Sequence, residues 1–293
     1  MFLNKMDHEE QLVEHVQQSN FPLFIDLIEQ RKFNVNVPIS GNAKDYLIHI
    51  AAYHNKTPDI IKVLLTHGAE INHVNGNKVN AVTYSVIRGN KDVTMFLLSL
   101  GNLYLNNKDC DNGTLLHHCL RYTRYEMFEH IIKTFKDVDI EVKHKVEGTL
   151  LEYACFLGKI DIVAMLIKRG ADINVRDYEG VPLIIKCIKE KKDAIAKLLI
   201  EKKCIIDCFC TNNNDCLHYA VMNKNADLVA LILRNGGNVD ARCSNMNTGL
   251  HLAIESGSKD IINILLKYRA KKDIVNIYGK TARDIAITMN YKL

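Results

Sequence analysis

The chain has 293 residues, 47% apolar and 25% charged, a balance that excludes disorder as its main state. Its net charge of +4 is scattered over 38 basic and 34 acidic side chains, which excludes the dense basic footprint of a nucleic-acid binder. No apolar run approaches the roughly 18 residues of a membrane span, and the opening MFLNKMDHEE lacks the apolar core of a secretory leader. The expected setting is the cytosol. Nine cysteines, an odd number between Cys110 and Cys243, read as reduced thiols rather than a disulfide framework.

Taken in chain order, the predicted elements repeat themselves. Asp7 with Glu10 makes a capping box for the first helix, and Glu10–Asn36 carries two apolar helices. Leu47–Asn72, LIHIAAYHNKTPDIIKVLLTHGAEIN, is a short helix, a turn, a second helix and a Gly-Ala-Glu-Ile-Asn ending. Val82–Asn106 follows the same plan, and Thr114–Ile140 follows it less tightly. Gly148–Arg176, GTLLEYACFLGKIDIVAMLIKRGADINVR, is the clearest copy. Val181–Asp207 is a looser one, with Lys186 placed where a small residue is expected. Leu217–Asp240 and Leu250–Asp273 close the series before a half copy at Gly279–Ile287. The predicted turn positions are 89, 123, 158, 190, 224 and 257, a period of about 33 residues.

Each recurring feature has a physical reason. The first helix of a copy needs small residues, such as Ala154 and Cys155, where neighbouring helix pairs approach closely. The second carries a broad apolar stripe, as in Ile160, Ile162, Val163, Leu166 and Ile167. Gly68, Gly101, Gly170 and Gly236 stand where that helix must stop in a left-handed residue. Asp177–Gly180 is turn chemistry for a short hairpin finger. No such pair buries its apolar face alone, so stability has to come from stacking.

The leucine–histidine pairs Leu116–His117, Leu217–His218 and Leu250–His251, with Ile48–His49 before Ala51–Ala52, and the stretches Gly68–Asn72 and Gly170–Asn174, resemble the ankyrin repeat family. The resemblance implies an all-α solenoid of eight helix-turn-helix units and a truncated ninth, with short hairpin fingers. It covers residues 7–293 as one domain, with residues 1–6 as an N-terminal extension. It further implies that His49, His117, His218 and His251 make structural hydrogen bonds within their own helix-turn units. Thr83, Glu152 and Ile184 stand at that position elsewhere.

Catalytic signatures are missing. The chain has no G-x-S-x-G, no phosphate-binding glycine loop and no G-x-G-x-x-G, and His8–Glu9 is followed by Leu12 where a zinc-protease helix needs its second histidine. The expectation is a protein that is not an enzyme, with no cofactor and no metal. Cys204, Cys208, Cys210 and Cys216, near His218, are the densest thiol cluster, but they lack a C-x-x-C pair and spread over a helix end, a finger and the next helix start.

Function is then expected from surface. The family binds other proteins on a concave face lined by finger tips and by the first helix of each repeat. Down this chain the exposed pairs before the turn are expected to be Ile87–Arg88, Arg121–Tyr122, Phe156–Leu157, Ile188–Lys189 and Met222–Asn223, forming an apolar stripe with basic flanks. Tyr178, with Arg176, Phe209 and Asn245, supplies the finger rim. The partner is another protein, without nucleic acid or membrane, and the chain alone is a monomer. The alternatives are a sensor of a phosphorylated small ligand and a regulatory subunit of an enzyme complex. Richness in Lys, Ile and Asn points to an AT-rich genome and to a host-directed ankyrin protein of a virus or an intracellular bacterium, acting in the host cytosol or nucleus. Asn72, Asn106 and Asn174, each eight residues after a leucine, resemble the sites that asparaginyl hydroxylase modifies in ankyrin repeats.

Overall fold

A computed structural model describes residues 4–31, 33–39, 43–210 and 213–291. Seventeen helices occupy the described residues, and the extended backbone among them is confined to isolated bridges. The pairs are α1 (Asn4–Gln17) with α2 (Phe21–Arg31), α3 (Leu47–His54) with α4 (Asp59–Thr66), and α5 (Ala81–Arg88) with α6 (Lys91–Ser99). Next come α7 (Leu115–Arg121) with α8 (Tyr125–Thr134), α9 (Leu150–Leu157) with α10 (Ile160–Lys168), and α11 (Leu183–Lys189) with α12 (Asp193–Glu201). The last are α13 (Cys216–Met222) with α14 (Ala226–Arg234), α15 (Gly249–Glu255) with α16 (Lys259–Lys267), and α17 (Ala282–Thr288) alone. The all-α helical-repeat expectation holds. Helix α1 starts at Asn4, so Asp7 lies inside the helix and is not its cap.

The chain forms two compact units, one ending at Leu150 and one beginning at Leu151. In the first, α3 packs between α1 and α5, and α5 packs on α7, while α2 meets α4. In the second, α11, α13, α15 and α17 form one layer and α10, α12, α14 and α16 the other. Small side chains permit the close approach within the helix-one layer: Ala51, Ala52, Ala154, Ala220 and Ala253 have no exposed surface. Helix-two stripes fill the space between layers with Ile61, Leu64, Leu97 and Phe128 in one unit and Val163, Leu166, Leu199 and Leu265 in the other. Each such side chain contributes roughly 2 kcal/mol by burial.

Left-handed residues punctuate the repeat. Between the paired helices from α5 onward they are Gly89, Thr123, Gly158, Lys191, Lys224 and Gly257, with Ser19 between α1 and α2. The fourth corrects the sequence reading: Glu190 has φ −86°, and the turn falls one residue later, at Lys191. After helix two, Gly68, Gly101, Gly170 and Gly236 are left-handed as expected, and Lys203 and Arg269 take the same conformation without glycine. Single antiparallel bridges, including Arg176–Pro182, Phe209–Asp215, Arg242–Thr248 and Val275–Thr281, close the fingers. The finger at His144–Gly148 is two residues shorter.

Lys186 also sits differently from the expectation. The small position is Cys187, and the residue before it reaches the finger nine residues upstream. Lys186 pairs with Asp177 at 3.5 Å, as Tyr84 Oη accepts from Asn75 at 2.9 Å and His118 Nε2 meets Asp109 at 2.9 Å. Tyr219 Oη lies 3.4 Å from Cys210 in the same relation. Four copies thus use a long polar side chain here to reach their own finger, while Ile50 and Leu252 hold the same position elsewhere.

Two ladders of hydrogen bonds tie one repeat to the finger or return segment of the next. In the first, the amide of the helix-one cap residue donates to Nδ1 of the recurrent histidine: Tyr46 to His49 at 3.1 Å, Thr114 to His117 at 3.3 Å and Thr248 to His251 at 3.1 Å. Nδ1 is thus the acceptor, so Nε2 carries the proton and donates out of the repeat. It reaches the carbonyls of His73 (2.9 Å), Gly148 (3.3 Å) and Lys280 (3.3 Å) on the next finger. His218 Nε2 makes the same reach to Asn247 at 3.1 Å, with Asp215 Oδ1 2.6 Å from its Nδ1. The histidines therefore bond beyond their own units as well as within them. Where the histidine is replaced by Thr83, Asn80 caps the helix through Oδ1 and sends Nδ2 to Tyr104 O at 3.4 Å.

In the second ladder, asparagines after helix two bridge forward. Asn72 Nδ2 donates to Asn102 O at 2.7 Å while its Oδ1 accepts from Tyr104 N, and Asn106 does the same with Asp137 and Asp139. Asn36 bridges to Gly68 and Glu70, and Asn174 accepts from Ile205 N at 2.8 Å. Three of these are the asparagines singled out in the sequence, and here they act as struts between successive repeats.

Two predictions follow from these bonds. Burial lowers the basicity of His49, His251 and His117, the last to about 4. A histidine whose folded value lies below its unfolded 6.5 stabilises the fold above that pH, and the contribution is lost as pH falls toward 4. His117 alone accounts for ~3 kcal/mol across that window. Urea midpoints should fall between pH 7 and pH 4.5, and His117→Gln, less stable at neutral pH, should show a shallower slope; an unchanged slope would sink the assignment. Separately, Thr123 is β-branched yet has φ 59°, so Thr123→Gly should stabilise the chain by about 1 kcal/mol in the same assay.

Candidate protein-binding face

The residues at the end of each first helix are positioned by a third set of bonds. The residue after the turn reaches back to cap the first helix of the preceding repeat: Asn55 Nδ2 donates to Val16 O, and Asn90 Nδ2 to Ala52 O and Tyr53 O. Arg124 donates to the carbonyls of Val86, Ile87 and Arg88 at 3.3–3.4 Å. Gly89 makes that possible, since a Cβ there would sit 2.6 Å from the guanidinium carbon. In the second unit Asn223, one residue before the Lys224 turn, makes the corresponding bond from Nδ2 to Ile188 O at 2.6 Å, and Lys192 Nζ lies 3.5 Å from the point where Gly158 would carry a Cβ.

In the first unit, Arg88 is exposed with its guanidinium 5.4 Å above the Tyr53 ring. Ile87 is half-buried. Tyr122 is exposed and stacks on the His118 ring. Arg121 is committed within the unit: its Nε donates to Glu147 Oε1 at 2.8 Å and its Nη2 lies 2.8 Å from His144 Nε2. It has less freedom to meet a partner than the sequence implied.

In the second unit, Phe156 is 59% exposed and Met222 45% exposed, while Leu157 is half-buried. Lys189 is exposed. Ile188 is the correction: it has no exposed surface. The cause is the one-residue error in the turn. With the turn at Lys191, the outward pair is Lys189–Glu190, and Ile188 joins the buried row of Cys155, Val221 and Ile254. One residue on a helix is a rotation of about 100°, enough to take a side chain from surface to core. The face of this unit is therefore two exposed apolar side chains, Phe156 and Met222, with a lysine from the intervening repeat, rather than an unbroken apolar stripe. Glu255 follows in the next repeat, its carboxyl pushed up by partial burial.

The finger rim is present as expected. Tyr178 is 64% exposed, Phe209 and Asn245 are exposed, and Arg176 Nη1 donates to Gly180 O at 2.8 Å within its finger. The sequence reading passed over Ile277, 58% exposed. Its signal was available, because 277 is three repeats of 33 after 178. Val146 and Tyr104 are further exposed side chains in the first unit. Two open clefts flank Tyr104, about 540 and 820 Å³ in volume, and their charged lining is Glu70, Lys136 and Asp137 with His73. That lining does not gather the lysines and arginines a phosphorylated ligand requires.

Cys204 lies just past α12, Cys208 before the finger, Cys210 in it and Cys216 at the first residue of α13. Among the described residues no three His, Cys, Asp or Glu side chains converge in the geometry a metal ion needs. No helix among them is long and apolar enough to cross a membrane.

The profile described as "Ankyrin repeats (3 copies)" matches residues 48–144, 151–243 and 217–292. An ankyrin repeat protein of Acanthamoeba polyphaga mimivirus is 26% identical over 153 residues, half of this chain and 19% of that protein. Human inversin is 27% identical over 184 residues, 59% of this chain and 17% of its own length. An ankyrin repeat domain-containing protein of monkeypox virus is 22% identical over 220 residues, covering 69% of this chain and 47% of the viral one. The chain thus spans less than half the length of each of these relatives.

Proposed function

The chain belongs to the ankyrin repeat family, and on that premise we propose that it is a protein-interaction module, a scaffold, adaptor or inhibitor whose activity is binding. Ankyrin repeats are general protein-interaction modules. The partner contact is assigned to the face formed by helix-one ends and fingers, concave in the family. Its anchors in the second unit are Phe156 and Met222, with Lys189 between them in sequence order and Tyr178 on the rim.

The observation that carries this reading is the exposure of Phe156 and Met222 at positions where the fold does not require apolar side chains. The same position holds Lys189 and Glu255 in neighbouring repeats, so stacking is indifferent to it. Large apolar groups kept there serve something outside the repeat. The buried polar groups, by contrast, are spent on structure: the histidines and asparagines hold backbone atoms of the next repeat. A host-directed setting in the cytosol draws support from composition and from the viral relatives.

Phe156→Glu combined with Met222→Lys tests the assignment. Thermal stability should change by only about 0.5 kcal/mol, because both positions are exposed. Affinity for a partner captured by the wild-type chain should fall by about 2 kcal/mol or more, some 30-fold. A large drop in melting temperature, or capture that survives unchanged, would overturn the choice of face.

A further inference from the structure

Five of the nine cysteines lie in one stretch of the second unit, and two of them face each other across the base of a finger. The bridge Phe209–Asp215 closes that finger, and Cys210 N donates to Asn214 O inside it. One rung outward, the opposed residues are Cys208 and Cys216. Directly opposed residues of an antiparallel pair point to the same side, with Cβ atoms about 4.5–5.5 Å apart, so the finger base has to draw in by about 1 Å to reach the roughly 3.5–4.5 Å that a disulfide bridges. The Cys208 thiol donates to Ile205 O at 3.3 Å, and the Cys208 and Cys216 thiols interact across the finger base. Both are free thiols.

Packing does not demand sulfur there. The equivalent rungs in this unit are Val175–Leu183, Ala241–Gly249 and Ile274–Ala282. The two sulfurs are also chemically unequal. The Cys216 hydrogen bond and the charge of Arg176 on the preceding finger pull Cys208 toward thiolate, whereas burial and the neighbouring sulfur hold Cys216 as a thiol. Cys208 retains slight exposure and Cys216 has none. One sulfur is poised to react and the other to resolve.

We propose that Cys208 and Cys216 form an oxidisable dithiol that closes to a disulfide under peroxide, pinning the base of the finger that carries Phe209 to the first turn of α13. The Cys208 thiolate attacks one peroxide oxygen, forming an S–O bond as the O–O bond breaks and hydroxide leaves. The Cys216 sulfur then displaces the hydroxyl from Cys208, forming the S–S bond and releasing water. Two sulfurs lose two electrons in all, and one hydrogen peroxide becomes two waters. Cys155 and Cys187 also touch, but burial and their mutual hydrogen bond hold Cys155 as a thiol, so that pair is the internal comparison.

The test treats the reduced full chain with hydrogen peroxide, removes the oxidant, and counts thiols with an aromatic disulfide reagent under denaturing conditions. Two of the nine thiols should be lost, with a mass decrease of two hydrogens and a Cys208–Cys216 linked peptide on non-reducing mapping. Cys216→Ala should instead leave a sulfenic acid on Cys208 that a dimedone probe captures. Should that core variant fail to fold, Cys208→Ala, at the finger base, should keep all of its remaining thiols, Cys216 among them. Retention of all nine thiols, a link through Cys155–Cys187, or an undiminished two-thiol loss in Cys208→Ala would overturn the proposal.

Discussion

A hydrogen bond that leaves its own repeat is the contact on which the remainder of the architecture rests. Beyond the first pair, helices of seven to ten residues are too short to be stable alone, and the apolar face of a pair has to be covered by the next pair. Apolar stacking supplies that cover but not the register. Register comes from the buried imidazole of helix one, whose Nδ1 is fixed by the cap residue and whose Nε2 therefore has a single direction to donate, into the next finger. A slip of one residue would leave that N–H buried without a partner, at a cost of about 1–3 kcal/mol.

The asparagine struts after helix two and the back-reaching caps after each turn extend the same logic to the other two edges of a repeat. Three rows of side chain-to-backbone bonds then hold fingers, helix ends and return segments to their neighbours within each unit. The cost is that these residues are unavailable for anything else. What remains for recognition are side chains that no ladder uses, chiefly Phe156, Lys189 and Met222 ahead of their turns, and the finger tips. There the side chains vary freely from copy to copy, from Phe156 to Lys189 to Met222 to Glu255.

Departures from the repeat cluster in its middle. The fourth pair ends in an extended Phe135 rather than a left-handed residue, its turn is the β-branched Thr123, and the finger that follows is short. A compact group of charges occupies that finger, with Glu147 bound by Arg121 and His144 beside both. Further on, the finger of Cys208–Cys216 replaces apolar rungs with thiols. A linear array tolerates such local changes because each repeat answers only to its neighbours.

Helix number, pairing and period were legible in the residues, because an apolar stripe every three or four positions and a left-handed turn every 33 or so are properties of local chemistry. Phe156, Met222 and Tyr178 were legible as exposed for the same reason. Ile188 was not. Turn propensity alone does not separate Glu190 from Lys191, since neither is a glycine, and a one-residue ambiguity in a turn becomes a 100° rotation on the helix before it. The forward reach of the histidines, the capture of Arg121 by Glu147 and the facing thiols of Cys208 and Cys216 were equally hidden, because each joins atoms that meet only when a finger folds back or a neighbouring repeat is in place. The residue code carries what a single repeat does by itself; the contacts between repeats decided which of its polar groups are structural and which are left facing outward.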